Sequence, residues 1–147
     1  MFKRILFPTD ASEPSLAATD AAVKFAAEQG AVLVVLNVQP PFRTPPGALV
    51  PQANYYSEEK YLEAVRGYAN EVMAAVAEKA RAHSVTTEAV VKISDQVYEA
   101  IIKEAEKRQC DLIFMASHGR RGIAGMVLGS ETNKVLTHCK VPALIYR

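Results

Sequence analysis

Apolar residues fall along this chain in short unbroken runs, separated by longer stretches where they recur every three or four positions. An unbroken run reads as a strand covered on both faces, and the wider spacing reads as one face of a helix. Arg4 to Phe7, ended by Pro8-Thr9-Asp10, is the first run, and Ala31 to Val38 is almost continuously apolar and β-branched. Between them, Ser12 is placed to cap a helix with Glu13 and Pro14 in its first turn, and Gly30 to end it after Gln29. From Ser57, the apolar positions Leu62, Val65, Ala69, Val72, Val76 and Ala80 keep helical spacing to about Ala82. Gly67 inside that stretch costs the helix ~1 kcal/mol. Thr87, Ala89, Val91 and Ile93 alternate as a strand, Val97, Ile101, Ile102 and Ala105 mark the next helix, and Leu112 to Ala116 is another buried strand. Ser130 to about His138 predicts the last helix, with Val135 and Leu136 turned inward, and Val141 to Tyr146 the last strand.

Strand and helix therefore alternate throughout, which predicts an α/β fold: a five-stranded parallel, doubly wound sheet with helices on both faces and right-handed crossovers. Ligands of such sheets sit at the carboxyl ends of the strands, where the winding reverses. The long irregular segment from Gln39 to Tyr56 holds Pro40, Pro41, Pro45, Pro46, Gly47 and Pro51 and follows a strand end. It reads either as a cover for that site or as a plain connection. With 147 residues, 50% hydrophobic and without internal repeat, the chain reads as a single domain over residues 1–147. A chain of that size buries roughly 70% of its unfolded surface without staples.

Charge and cysteine content narrow the function classes. Seventeen Lys+Arg against 16 Asp+Glu leave a net charge of +1, which offers no general attraction to nucleic acid or to an anionic membrane. Cys110 and Cys139 fit no metal-ligand or redox spacing and read as small, partly buried residues of a reducing compartment. The N-terminus, Met1 to Pro8, has too few apolar residues for a signal peptide, and no apolar run approaches membrane length. The expected setting is cytoplasmic.

Candidate chemistry gathers late in the chain. Met115-Ala116-Ser117-His118-Gly119 is followed, after nine further residues, by Gly129-Ser130, with flexible backbone points where a strand hands over to a helix. Glycine lets main chain approach an anion closely, and a helix opening at Ser130 aims its unpaired N–H groups and positive dipole end at the same spot. Each residue also has a simpler role: Asp10 and Ser12 as caps of the first helix, Gly129-Ser130 as a turn and cap, Arg120-Arg121 as solvated charges. His118 reads as a polar loop residue, because no serine or cysteine nucleophile with a supporting acid accompanies it. Tyr55, Tyr56, Tyr61 and Tyr68 read as packing groups rather than a platform for bases. The chain has neither a Gly-x-x-x-x-Gly-Lys-Ser/Thr loop nor a Gly-x-Gly-x-x-Gly after its first strand, so NTPase and dinucleotide-enzyme readings lack support.

Ile5 to Asp10, Asp111 to Met115, and Gly129-Ser130 through Val141-Pro142 resemble the universal stress protein family along nearly the whole chain. The nucleotide-binding branch of that family carries Gly, two residues, Gly, nine residues, then Gly followed by Ser or Thr. This chain keeps Gly119, the spacing, Gly129 and Ser130, and departs at Ala116, where the pattern has its first glycine. An alanine is tolerated there if its φ is negative and its methyl clears the ribose.

The resemblance implies an adenine nucleotide alpha hydrolase-like, Rossmann-like fold and a site for ATP, AMP or ADP, with or without magnesium or manganese. It makes Pro8, Thr9 and Asp10 the wall beside adenine and ribose, and Val38 the residue whose main chain meets the adenine edge. Ala116, Ser117, His118, Gly119, Arg120, Arg121 and Gly122 would line ribose and phosphates, with Ser130, Glu131 and Thr132 at the terminal phosphates. Glu131 favours the helix dipole but repels phosphate unless a cation intervenes. The resemblance further implies a stress-response regulator or sensor, at most a very slow ATP hydrolase. It implies a homodimer through Val141 to Tyr146, with a further protein partner of unknown identity. A dimeric interaction module without nucleotide is the alternative that Ala116 keeps open.

Overall fold

The computed structural model describes residues 1–43, 57–118 and 128–147. Strands and helices alternate as β1 (Arg4–Pro8), α1 (Glu13–Gln29), β2 (Val32–Gln39), α2 (Glu58–Ala82), β3 (Thr87–Ile93), α3 (Val97–Lys107), β4 (Leu112–Ala116), α4 (Ser130–His138) and β5 (Ala143–Tyr146). The sheet is parallel throughout, in the order β3-β2-β1-β4-β5. The winding reverses between β1 and β4, which leaves a crevice at their carboxyl ends.

The unbroken apolar runs are buried on both sides because successive strand residues point to opposite faces. Ile5, Phe7, Leu33, Val35 and Phe114 pack against Ala18, Ala22 and Ala26 of α1 and Met73, Val76 and Ala80 of α2. Leu6, Val34, Leu36, Ile113 and Met115 face the other way, against Ile101 and Ala105 of α3 and Val135 of α4. Gly30 ends α1 with φ 62, the left-handed conformation that glycine adopts without penalty. Among the described residues no helix is long and apolar enough to cross a membrane.

Three local expectations are revised. Leu136 does not turn inward: Val135 is fully buried, whereas Leu136 is 43% exposed, because α4 is short and touches the core along one narrow line. On β3 the packed residue is Val90, while Val91 and Ile93 are 39% and 46% exposed. β3 is an edge strand, and the cover on its Val91 side is incomplete. At the start of α1 the Ser12 side chain makes no cap bond, and its Oγ is buried without a partner among the described residues. The Asp10 carboxylate accepts the Ser12 N–H instead (3.0 Å), across Ala11 at φ 56.

Charged groups tie the strands to α3. Arg4 meets Glu88 at 2.8 Å, Arg108 reaches both Glu88 (3.2 Å) and Glu104 (3.1 Å), and Lys92 meets Glu104 at 2.9 Å. Glu104 is only 4% exposed on the inner face of α3. Burial alone would push its carboxyl up, but hydrogen bonds from Lys92 and Arg108 outweigh that and hold it below the usual carboxylate range. The Arg4 hydrogen bond does the same for Glu88. Beneath them, burial pushes the Cys110 thiol up to about 11, which leaves it an unreactive packing group.

A lowered carboxyl pKa stabilises the fold above the unfolded value and loses that contribution as pH falls through the folded value. Glu104→Gln is therefore expected to cost about 1 to 3 kcal/mol at pH 7, with the gap to the parent narrowing below about pH 4. Urea unfolding at pH 7 and pH 3.5 checks this, and an equal gap at both would refute the ionic role. At Gly67, in the exposed middle of α2, an added Cβ would meet nothing within 4 Å. Gly67→Ala should stabilise the protein by about 1 kcal/mol, read as a rise of about 2 to 4 °C in Tm by calorimetry.

Candidate functional site

The site starts where β1 stops. Pro8↔Leu36 is the last pair of the β1–β2 register, and the Thr9 N–H donates to the Leu36 carbonyl at 2.8 Å. Val38, two residues further along β2, has no β1 pair and borders a cavity of about 820 Å³ at the carboxyl ends of the strands. That size suits a nucleotide-sized ligand.

Buried hydrogen bonds stiffen the β1 wall. The Asn37 amide donates to the Thr9 carbonyl (2.9 Å), the Gln39 amide donates to Asn37 Oδ1 (2.7 Å), and the Thr9 and Ser15 hydroxyls meet at 2.6 Å. Asn37 is fully buried, so its amide contributes only because it is bonded. Helix α2 braces the same wall: Tyr68 Oη donates to the Asp10 carbonyl at 3.1 Å, and Tyr61 Oη to the Pro40 carbonyl. The two tyrosines are packing groups, as expected, with their polar ends used as struts.

The opposite wall is the junction of β4 with α4. The Gly129 N–H donates to the Ser117 carbonyl at 2.7 Å, and Thr132 Oγ1 lies 3.2 and 3.3 Å from the Ala116 and Ser117 carbonyls. Gly129 has φ −66, which any residue adopts, so its backbone conformation does not call for glycine. Space does: an added Cβ would stand 3.1 Å from the Ser117 carbonyl oxygen and 3.3 Å from His118 Cα. Ala116 ends β4 in extended backbone and is not among the residues with positive φ, which meets the first condition for an alanine there. Among the described residues α4 has no side-chain cap, and its first residues Ser130, Glu131 and Thr132 line the cavity.

Of the residues expected at a site, Pro8, Thr9, Asp10, Val38, Ala116, His118, Gly129, Ser130, Glu131 and Thr132 line this one cavity. Ser117 lies behind the lining, buried, with its Oγ 3.0 Å from His118 Nδ1. Gly119, Arg120, Arg121 and Gly122 lie outside the described residues, as do Tyr55 and Tyr56. The sequence reading missed Ser15, Ser94, Asp95 and Val97 of the lining, while Gln39, Pro40 and Arg43 belong to the segment that reads as a cover or a plain connection. Ser94, Asp95 and Val97 follow the carboxyl end of β3, so the strand pattern itself could have flagged them.

The carboxylates of the cavity are already bonded. Asp10 accepts the Ser12 N–H, Asp95 pairs with Arg43 at 2.5 Å, and Glu131 Oε2 accepts the Tyr98 N–H at 2.9 Å while Oε1 meets Lys134 at 3.0 Å. Glu131 thereby caps α3, whose own N-cap residue Gln96 supplies no side-chain bond. Among the described residues no cluster of three or more His, Cys, Asp or Glu side chains is arranged to hold a metal ion.

The chain is similar to known proteins over its whole length. A universal stress protein of Bacillus subtilis, YxiE, is 30% identical over 151 aligned positions spanning both chains completely. Among solved structures, universal stress protein UspA of Lactobacillus plantarum superposes with a TM-score of 0.75 at 26% identity, over 99% of this chain and 97% of that one. A universal stress protein solved in complex with cAMP superposes at 0.68 with 23% identity, covering 99% and 97% of the two chains. The sequence model of the universal stress protein family matches residues 1–147, and the chain belongs to that family.

Proposed function

We propose that this chain binds an adenine nucleotide in the cavity between β1, β2 and the β4–α4 junction, and acts as a cytoplasmic nucleotide-dependent regulator. The observation that carries the reading is the start of α4, which has no side-chain cap and opens into a cavity of about 820 Å³. A helix end of this kind leaves N–H groups for an anion. Val38, beyond the β1 register, offers free main chain to a base edge, and Pro8 to Asp10 form the wall beside it. The relative solved with cAMP carries an adenine nucleotide on the same fold, which supports the assignment.

Binding rather than turnover suits the chemistry. Asp10, Asp95 and Glu131 are held by a backbone N–H, Arg43, and Tyr98 with Lys134 respectively, and act as positioning groups rather than bases. A regulator of this design reads nucleotide as a conformational state. Self-association through β5 completes the proposal: β5 pairs with β4 alone among the described strands, and Tyr146 at its end is 37% exposed. A twofold pairing of such edges satisfies their backbone groups without propagating a fibre.

Titration calorimetry with ATP and AMP tests the site. Gly129→Val drives side-chain atoms into the Ser117–His118 backbone and should abolish binding, whereas Ser130→Ala removes one hydroxyl and should cost about 1 to 3 kcal/mol. Circular dichroism of each variant separates lost binding from lost fold. If Gly129→Val folds and binds like the parent, the nucleotide does not sit at α4. Sedimentation at micromolar concentration should give twice the chain mass, and a monomer unchanged by nucleotide would overturn the β5 pairing.

A further inference from the structure

Helices α1, α3 and α4 all begin at this cavity, with Ser15, Val97 and Ser130 in its lining. Helix α4 begins at Ser130 without a side-chain cap, while α3 begins beside it with Val97 in the cavity lining. The N–H of Tyr98, in the first turn of α3, is taken by Glu131 Oε2 at 2.9 Å. Glu131 is the second residue of α4, adjacent to the Ser130 N–H offered to an anion. One carboxylate of the chain's own thus occupies the positive end of α3 and adds a negative charge next to that of α4.

Its neighbours hold it there. Lys134 meets Glu131 Oε1 at 3.0 Å and lies over the Tyr98 ring at 5.4 Å, and His138 lies against that ring with centroids 5.6 Å apart. Lys134, half-exposed, is not among the residues that line the cavity.

Resting on the nucleotide reading above, we propose that Glu131 is a specificity-determining residue that limits the number of phosphates this site accepts. A single phosphate sits on the N–H groups at the start of α4. Each further phosphate adds charge within the field of Glu131 and finds the start of α3 already occupied by a carboxylate. The site therefore favours an adenosine monophosphate over ATP when no divalent cation is present, and a divalent cation on the phosphate chain of ATP relieves the difference.

The test is titration calorimetry of AMP and ATP, with EDTA and then with magnesium, against the parent, Glu131→Gln and Glu131→Ala. Glutamine keeps an oxygen for the Tyr98 N–H and removes the charge, so Glu131→Gln should raise the ratio of ATP to AMP affinity about tenfold in EDTA. Magnesium should raise ATP affinity more for the parent than for Glu131→Gln. Hydrogen exchange at the Tyr98 amide supplies a second measurement, with protection kept in Glu131→Gln and lost in Glu131→Ala. An affinity ratio that moves less than about twofold in Glu131→Gln, with AMP still bound, overturns the proposal and leaves the nucleotide site standing. Failure of the parent to bind either nucleotide overturns both.

Discussion

The junction of β4 with α4 depends on main chain meeting main chain at a distance that crowds any side chain. Gly129 donates to the Ser117 carbonyl at 2.7 Å, and an added Cβ would come within 3.1 Å of that same oxygen. Thr132 reaches back with its hydroxyl to the Ala116 and Ser117 carbonyls, which leads the first turn of α4 off the end of β4 at a set angle. Because β4 lies next to β1 at the reversal of the sheet, that angle decides where the open N–H groups of α4 point relative to the Thr9–Asp10 turn.

The rest of the cavity is stiff for related reasons. Asn37 is fully buried in a strand whose other residues are valines, leucines and Gln39, and its amide is used on the Thr9 carbonyl and, through Oδ1, on Gln39. Tyr68 and Tyr61 carry hydroxyls from α2 to the carbonyls of Asp10 and Pro40, so the second helix fixes the turn after β1 and the chain just beyond β2. Polar groups buried in this way specify one arrangement of the chain, since every alternative leaves an amide or hydroxyl unbonded. The charges are separated in space by function: Arg4, Glu88, Lys92, Glu104 and Arg108 join strands and α3 away from the cavity, while the cavity carboxylates orient loops and helix ends.

The chain belongs to the universal stress protein family and departs from its nucleotide-binding pattern at Ala116. Ala116 replaces the first glycine of the nucleotide-binding pattern, and it sits in extended backbone where a methyl costs nothing in φ. Glu131, which reads from sequence as a poor neighbour for phosphate, is committed to another helix. The alanine leaves the start of α4 as it is, and Glu131 places a carboxylate beside it.

Sequence by itself determined the order of the elements, their type and most of their ends, because periodicity and punctuation are local: Gly30 stops α1, Ser57 caps α2, and unbroken apolar runs become strands buried on both faces. It also determined that Ser130 begins a helix and that Gly129 lies at a turn. Tertiary structure decided the rest, since the remaining roles depend on partners distant in the chain. Ser12 is placed like a cap, yet the Asp10 carboxylate takes its N–H; Leu136 has the spacing of a core residue, yet only Val135 meets the sheet. Glu104 looks like a solvated charge until Lys92 and Arg108 close over it, and Glu131 looks like a phosphate neighbour until the N–H of Tyr98, 33 residues away, is found bound to it. Periodicity encodes which face of an element is apolar, but a hydrogen bond between two helix ends exists only once packing has brought them together.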